Sequence, residues 1–408
     1  MERMKANAVS FKQYLYISLI IVLSSFEYFF RAKNLLLAVF CAIILDFFFA
    51  TLRNKNNSLK LGLSFGLLTA VCFVSLIQTT LTNGNSLNNL IGTGVVYLGS
   101  ISVAFFLNTK FVKAFSNVIL FIAVYSGVIY LATLIPSVYD TLYALSARFV
   151  SLNVENAVFD GGGANIVIYN FQTDVVLDAV GFNRNCGPFW EPGMFAFFLS
   201  LALFFELFLL ENRRKGFRIL ILSLVLISTF STGGYVAGIA ILVMYSFLNM
   251  KSLWIWVLII PVTVLGIQEL SKLEFIGEKI ENQYNNRTVG SDKSRFGALE
   301  TQLFMIEKSP LVGGEKLENY ATGKTLASGT LLPFVGYGIP VGIFFFFCLY
   351  LACFRLALQS QVKTKVGIAL FILILIMSFS QTILVSAPIL LLIFSGLQLN
   401  KKTYLQLQ

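Results

Sequence analysis

Long apolar runs separated by short polar connections dominate this sequence. A helix that crosses a membrane needs roughly 20 consecutive apolar residues. Runs of about this kind occur near residues 14–30, 35–52, 59–81, 89–107, 115–135, 190–210, 216–231, 233–249, 253–267, 331–354 and 365–384, with a shorter one near 386–399. The pattern therefore predicts a single all-α polytopic membrane domain, residues 1–408, with about twelve transmembrane helices.

Two long connections interrupt this series of apolar runs. The first covers residues 136–189 and the second covers residues 268–330. Neither has the alternating or helical apolar period that an independent domain would show. We therefore expect both segments to be large loops of the membrane domain.

The distribution of lysine and arginine predicts how the chain is oriented. If the N-terminus is cytoplasmic, eighteen of the thirty basic residues fall in cytoplasmic segments, and the short outer loops hold only Arg31 and Lys33. Short cytoplasmic loops are enriched in basic residues. This orientation predicts a multi-pass protein of the bacterial inner membrane, with both termini in the cytoplasm and both long loops outside.

Composition limits the chemistry that is available. Hydrophobic residues make up 57% of the chain and charged residues only 12%, too few for the surface of a soluble domain of this size. There is no histidine, which excludes a histidine base, a histidine metal ligand and a serine–histidine pair. No Cys-x-x-Cys or Asp-x-Asp motif is present. We therefore predict no metal and no cofactor. We also predict no nucleic-acid partner, because the topology accounts for most of the net charge of +10.

The most distinctive polar stretch, Gly181–Gly193, lies where the first long loop enters the sixth apolar run. Pro192 suits the first turn of a helix, so we expect Glu191 at the helix start, facing the positive end of the helix dipole. One interpretation makes Glu191 a helix cap and Trp190 an interfacial anchor. The other makes Glu191 a carboxylate held at the membrane surface, with Arg184 seven residues away.

Two further polar stretches fall on the same predicted side of the membrane. One is the turn Ser231–Tyr235 between two apolar runs. The other, in and after the second long loop, combines charged residues with glycine-rich segments: Arg287, Arg295, Glu300, 309–314, 327–330 and 336–342. A structural interpretation is also open for each stretch. The first could be no more than a tight hairpin. The second could be a solvated loop with turn glycines, followed by small residues that allow close helix packing.

Three of these stretches together resemble O-antigen and capsular polysaccharide polymerases (Wzy type), membrane enzymes related to the O-antigen ligases. They are the Arg184…Phe-Trp-Glu-Pro-Gly run, the Ser-Thr-Gly-Gly turn, and the Pro-Leu-Val-Gly segment followed by Tyr-Gly-Ile-Pro. The resemblance covers the C-terminal half, and topology alone supports it in the N-terminal half. The ligases use a histidine near the position of Ala327-Ser328, and its absence here favours a polymerase.

The resemblance implies a GT-C-like glycosyltransferase architecture. It implies polymerisation of polyprenyl-diphosphate-linked oligosaccharide units into O-antigen, capsule or exopolysaccharide at the outer face of the inner membrane. The expected partners are that lipid-linked oligosaccharide, the lipid bilayer and a chain-length regulator protein.

The chemistry of such a donor implies roles for the charged residues. A lipid diphosphate leaves as an anion, so it needs charge stabilisation more than protonation. Arginine suits this task because it stays charged and binds phosphate through two parallel hydrogen bonds. We expect Arg295 and Arg287 to be catalytic together with Glu191, which would act as the base for the acceptor hydroxyl. The expected substrate contacts are Arg184, Arg295, Trp190, Glu300 (also the second candidate base) and Tyr235.

Other functions stay open from the sequence. A twelve-helix transporter, or a flippase for the same lipid-linked sugar, would explain the helix number and two acidic residues inside predicted spans, Glu27 and Asp46. These residues could line a substrate cavity, or Glu27 could reach water at a helix end. A lipid-linked sugar ligase and a non-catalytic scaffold are further alternatives. The outer clustering of arginine and glutamate favours the polymerase, because transporters bind near the bilayer midplane.

Overall fold

The structure, a computed structural model, describes residues 9–26, 29, 33–53, 62–81, 87–146, 164–171, 183–211, 213–249, 294–314, 328–360 and 362–399. These residues are mostly helical (83%). Among these residues, five helices are long and apolar enough to cross a membrane. The expectation of a mainly α-helical, multi-pass membrane protein is confirmed at this level, whereas the twelve spans and the GT-C-like arrangement stay predictions.

Eleven of the twelve predicted apolar runs coincide with helices, and the run at 253–267 lies outside the described residues. In chain order the elements are α1 (Phe11–Ser25), α2 (Lys33–Arg53), α3 (Gly62–Leu81), α4 (Leu87–Leu107), α5 (Phe111–Thr133), α6 (Pro136–Ser146), β1 (Ala164–Ile166), β2 (Tyr169–Phe171), α7 (Pro192–Phe204), α8 (Lys215–Ser228), α9 (Thr232–Asn249), α10 (Arg295–Lys308), α11 (Leu332–Gln359), α12 (Thr364–Ser380) and α13 (Ala387–Gln398). Helix α6, the two strands and α10 fall in the two segments predicted as loops.

Helices α4 and α5 are separated by one 3-10 turn, Asn108–Lys110. Asn108 has a φ of 47°, in the left-handed region that asparagine tolerates better than most residues. The turn separates two helices that the sequence predicts as separate spans. Lys110, within it, is one of the basic residues on the predicted cytoplasmic side.

The chain forms two compact units. The first consists of residues 1–19, 34–114 and 280–408, and the second of residues 20–33 and 115–279. In the first unit α13 packs on α4 and α11, and α11 also packs on α12 and α3. Gly396 allows part of this close packing, because a Cβ there would lie 2.6 Å from the backbone of Ala352.

Helix α7 forms the centre of the second unit, where it packs on α8 and α9. Every residue from Pro192 to Phe204 is buried. Gly234 of α9 permits the close approach, because a Cβ at that position would lie 2.7 Å from the Cβ of Ala196. A helix that is apolar around its whole circumference is typical of such a buried central position.

The first predicted loop contributes α6 and an antiparallel β1–β2 hairpin to the second unit. Tyr169 and Phe171 of the hairpin form a small buried core with Tyr130 of α5, and Tyr139 of α6 contacts Phe171 edge to face at 5.9 Å. Burial raises the pKa of the Tyr169 phenol well above its ordinary value, so its hydroxyl stays neutral. The hairpin could not be predicted by periodicity, because each strand has only three residues.

Contacts between helix ends in the first unit follow the predicted alternation of crossings. Lys12, at the start of α1, has its Nζ 2.5 Å from Oδ2 of Asp46 near the end of α2. Gln13, beside it, donates from Nε2 to the carbonyl of Phe106 at the end of α4, at 2.7 Å. One helix start that meets two helix ends is the arrangement of antiparallel neighbours. The side of the membrane on which they meet stays a prediction.

The ion pair also explains the acidic residue inside the second predicted span. The Tyr16 hydroxyl donates to Oδ2 of Asp46 at 2.6 Å, and Lys12 supplies the opposite charge. Such pairing is the usual way in which a carboxylate within a membrane helix is stabilised. Glu27, the other acidic residue considered, lies outside the described residues.

Candidate functional site

The loop before α7 holds the most distinctive sequence motif. Glu191 is the N-cap residue of α7, with extended backbone (φ −151°, ψ 157°), and Pro192 occupies the first turn as predicted. The Glu191 side chain makes no capping hydrogen bond to the helix. The interpretation of Glu191 as a cap therefore applies to its backbone position and not to its carboxylate.

Asn185 fixes the beginning of this loop against the end of α8. Its backbone N–H donates to the carbonyl of Ser228 at 3.0 Å, and its Nδ2 donates to the Ser228 hydroxyl at 2.9 Å. Its Oδ1 accepts the N–H of Gly187 at 3.0 Å. Gly187 has a φ of 53°, and a Cβ there would lie 3.0 Å from the Phe195 ring. The turn therefore requires glycine both for its conformation and for its contact with α7.

The β1–β2 hairpin fixes the second half of the same loop through Asn170. The backbone N–H of Asn170 donates to the Gly187 carbonyl at 2.7 Å. Its Nδ2 donates to the carbonyls of Phe189 at 3.0 Å and Trp190 at 3.3 Å. Asn170 is buried. One asparagine side chain thus positions the backbone immediately before Glu191.

Aromatic packing completes the support of the loop. The Phe189 ring stacks on Phe195 and Phe198 of α7, with centroid distances of 5.1 Å and 4.9 Å. Phe26 contacts the Phe189 ring edge to face at 5.4 Å. Stacked and edge-to-face ring pairs stabilise beyond the area they bury. Trp190, which follows, is half-buried, as is Glu191.

The structure places Arg184 beside the stretch Ser231–Tyr235, so two of the three stretches that carry the resemblance lie together. The prediction of a turn there is wrong for Thr232–Tyr235, which form the first turn of α9. Arg184 is half-buried, and its Nε donates to the Thr229 carbonyl at 3.4 Å. Its positive charge interacts electrostatically with the Tyr235 phenol. The Tyr235 hydroxyl itself donates to the Ile227 carbonyl at 2.9 Å.

The turn that receives Arg184 has a strained backbone. Phe230 has a φ of 45°, which is uncommon for a bulky residue and typically costs about 1–3 kcal/mol. The next residues begin α9, where the Ser231 hydroxyl accepts the N–H of Gly234 at 3.3 Å. Strain of this kind persists only where surrounding contacts enforce it.

Two glycine-rich segments predicted in and after the second long loop, 309–314 and 336–342, lie together in the first unit. Helix α11 is broken at Gly338, which has φ 77° and ψ 172°. A Cβ at Gly338 would overlap the carbonyl oxygen of Leu311, and the Ile339 N–H donates to the Pro310 carbonyl at 2.7 Å. The segment 309–314 therefore docks directly on the broken backbone of α11.

A buried glutamine closes this contact from α3. Gln78 is 2% exposed, and its Nε2 donates to the carbonyls of Val312 at 2.7 Å and Gly336 at 2.8 Å. The Gly314 N–H donates to the Val335 carbonyl at 2.8 Å. Backbone groups that the helix break releases are thus bonded within the protein.

Helix α10 carries two of the charged residues predicted in the second long loop, Arg295 and Glu300. Ser294 is its N-cap and accepts the Gly297 N–H at 3.3 Å. Arg295, its first residue, and Glu300 are both half-buried. Gln302 is buried and holds the segment before α11: its Nε2 donates to the Ser328 carbonyl at 2.5 Å. The N–H of Leu331 donates to Oε1 of the same side chain at 3.2 Å.

The predicted site residues therefore belong to two sets. The second unit carries Arg184, Trp190, Glu191 and Tyr235 on one supported loop and the adjacent turn, and the first unit carries Arg295 and Glu300 on α10. Arg287 lies outside the described residues.

Sequence reasoning missed a buried charge cluster at the other end of α7. Glu206 is fully buried within a π-helical turn, Phe205–Leu209. Arg218 approaches its Oε1 with Nη2 at 2.6 Å and Nε at 2.8 Å. The Ser116 hydroxyl donates to Oε1 as well, and Arg218 Nη2 donates to Asn117 Oδ1 at 2.7 Å.

A signal for this cluster was present in the sequence. Glu206 is an acidic residue inside an apolar run, which is rare unless it has a partner. Arg218 is one of the eighteen basic residues in the predicted cytoplasmic segments, so its position is equally typical of a topology signal.

Comparisons with known protein families and with curated proteins give no match to this chain.

Proposed function

We propose that this protein polymerises polyprenyl-diphosphate-linked oligosaccharide repeat units into a surface polysaccharide at the outer face of the bacterial inner membrane. The observation that carries the proposal is the loop 183–191, which holds Arg184 and Glu191 half-buried on a backbone fixed from three directions. Catalytic groups must be held in position by their surroundings. This loop has that property, and α7 beneath it is completely buried.

Arg184 would bind the diphosphate of the donor. Its Nε donates to the Thr229 carbonyl at 3.4 Å, which helps to orient the guanidinium, and the fork of its terminal nitrogens would bind the phosphate oxygens. A diphosphate leaving group gains negative charge as its bond to the sugar breaks, and a fixed arginine stabilises that charge without reorganising. For Arg295 of α10, which lies in the first unit, we keep the role that the sequence resemblance implies, a ligand of the lipid diphosphate.

Glu191 would act as the general base. In the transfer step, the acceptor hydroxyl oxygen bonds to the anomeric carbon of the donor sugar while the bond from that carbon to the diphosphate oxygen breaks. The hydroxyl proton passes to Glu191, and the polyprenyl diphosphate leaves with the bonding electron pair. The backbone position of Glu191 at the start of α7 favours the ionised carboxylate that this step requires.

A transporter is supported less well. Its best support is the break in α11, because broken helices form the substrate sites of many carriers. Here the backbone groups at the break are bonded to Pro310 and Gln78. The buried charge pair Arg218–Glu206 is likewise engaged with protein groups.

Reconstitution tests the proposal directly. The purified full-length chain is placed in lipid vesicles with the lipid-linked repeat unit of the producing bacterium, and chain length is measured on a gel. Glu191→Gln and Arg295→Ala should each abolish polymer without loss of folded protein. Arg213→Ala, which removes an exposed arginine on the predicted cytoplasmic side, should leave the ladder unchanged.

Two results would count against the proposal. Normal-length polymer from both variants would reject the assignment of Glu191 and Arg295. Wild-type protein that moves the lipid-linked unit across the bilayer without lengthening it would identify a flippase instead.

A further inference from the structure

The short segment before α11 contains two buried hydroxyl groups without a partner. Ser328 is fully buried, and neither its Oγ nor the buried Oγ1 of Thr330 has a hydrogen-bond partner in the described part of the chain. A buried hydroxyl that makes no hydrogen bond is unfavourable, and each one calls for an explanation. Two such groups lie here within three residues.

Contacts on both sides fix the backbone of this segment. Gln302 binds both the Ser328 carbonyl and the Leu331 N–H, and the Gly329 N–H donates to the Ser378 carbonyl at 2.9 Å. A Cβ at Gly329 would overlap the Gln381 carbonyl oxygen. The backbone is therefore held on both sides, whereas the two side-chain hydroxyls have no hydrogen-bond partner among the described residues.

Other unpartnered hydroxyls in the described residues have a different setting. They are isolated and lie inside helices: Ser64, Ser200 and Ser395. The segment containing Ser328 and Thr330 instead precedes a helix at its predicted outer end. Thr330 is half-buried as a residue although its Oγ1 is buried, so a ligand would have to reach the two hydroxyls from the exposed side of Thr330.

The position of the pair relative to Arg295 points to the kind of ligand. Gln302 lies seven residues after Arg295 in α10, so the two occupy the same face of the helix, two turns or about 10 Å apart. Gln302 in turn bonds the Ser328 carbonyl. A ligand that extended from Arg295 to the segment held by Gln302 would therefore span about two turns of α10, a length suited to a short oligosaccharide.

We propose that Ser328 and Thr330 form a subsite for a sugar ring of the oligosaccharide repeat unit. Each hydroxyl can donate one hydrogen bond and accept others, which matches the hydroxyls of a sugar. The assignment rests on the proposed function, because Arg295 is taken there as a ligand of the lipid diphosphate.

The test compares stability with binding in the full-length protein. Ser328→Ala and Thr330→Val remove the hydroxyls, so neither variant should lower the melting temperature, since an unpaired buried group is lost. Two probes are titrated: the repeat-unit oligosaccharide released from its lipid, and polyprenyl diphosphate without sugar. Each variant should weaken oligosaccharide binding by about 10-fold and leave the binding of polyprenyl diphosphate unchanged.

Ser395→Ala is the matched control, because it removes an equally buried and unpartnered hydroxyl from within α13. Oligosaccharide affinities in the Ser328 and Thr330 variants that equal those of this control would overturn the subsite. So would wild-type protein that binds polyprenyl diphosphate but not the oligosaccharide. Wild-type protein that binds the oligosaccharide through both hydroxyls but makes no polymer would support the subsite and reject the polymerase.

Discussion

Helix α7 has a glutamate at each end, and the two differ in every respect that matters for chemistry. Glu191 at its start is half-buried, lies on a supported loop and does not cap the helix with its side chain. Glu206, in the π-helical turn at its end, is fully buried and bonded to Arg218 and Ser116.

We expect this difference in burial and bonding to correspond to a difference in role. A fully buried carboxylate needs a partner for every strong acceptor position, so its lone pairs are used in stabilising the fold. A half-buried carboxylate on a rigid backbone can instead exchange water for substrate. We therefore expect Glu206 to contribute to stability, and Glu191 to take part in the proposed reaction. The following variants test these two expectations.

The largest effect is expected when the buried pair is broken. Arg218→Ala leaves the Glu206 charge buried without its main partner, and such changes cost about 3–5 kcal/mol. We expect a large loss of folded protein in detergent, measured by thermal unfolding. Arg214→Ala, an exposed neighbour, is the control. A double variant, Arg218→Met with Glu206→Leu, should recover most of the stability, and failure to recover would assign the cluster a role beyond stabilisation.

The next effect concerns the other end of the helix. Glu191→Gln keeps the size of the side chain but removes the base, so polymer formation should fall by at least about 100-fold. The melting temperature should stay close to that of the wild type. The control is Glu211→Gln, which changes an exposed glutamate. If Glu191→Gln lowered the melting temperature as much as Arg218→Ala does, Glu191 would have a structural role like that of Glu206.

A smaller effect is expected for the arginine near Glu191. Arg184→Lys keeps the charge but loses the planar fork that binds phosphate at two points. We expect about a 10-fold loss of activity, mainly through weaker donor binding, with a greater loss for Arg184→Ala. Initial rates at several donor concentrations measure this. Full activity in the lysine variant would make Arg184 a packing residue.

The smallest effect is expected for Tyr235. Its hydroxyl donates to the Ile227 carbonyl, so Tyr235→Phe should lower the free energy of unfolding by about 1 kcal/mol. Activity should change little, because the ring beside Arg184 remains. A loss of activity comparable to that of Arg184→Lys would instead establish the Tyr235 hydroxyl as a substrate contact, as the sequence resemblance implies.

The helices could be predicted because membrane spans are local: a run of apolar residues is sufficient to define one. What could not be predicted depends on distant partners. The hairpin at Asn170 is held by Phe189 and Trp190, which lie about twenty residues away. Arg218 belongs to a pair with Glu206, although its position in the sequence is equally typical of a topology signal.

The candidate site likewise combines features that have a local sequence signal with features that depend on distant residues. The position of Glu191 at a helix start could be predicted, because proline at the first turn is a local signal. The proximity of Arg184 to the turn at Thr229 could not, since it follows from how α8 packs on α7. The break in α11 at Gly338 has a local signal, Pro340 inside the same helix. The contact of the broken backbone with Leu311 depends on a distant segment and could not be predicted.

The attachment of Asn170 couples the β1–β2 hairpin to the loop before α7. Its side chain holds the two carbonyls that precede Glu191, so a ligand that displaced the hairpin would also release the backbone that carries this carboxylate. If the hairpin faces the periplasm, as the distribution of basic residues predicts, such a ligand would act without crossing the inner membrane.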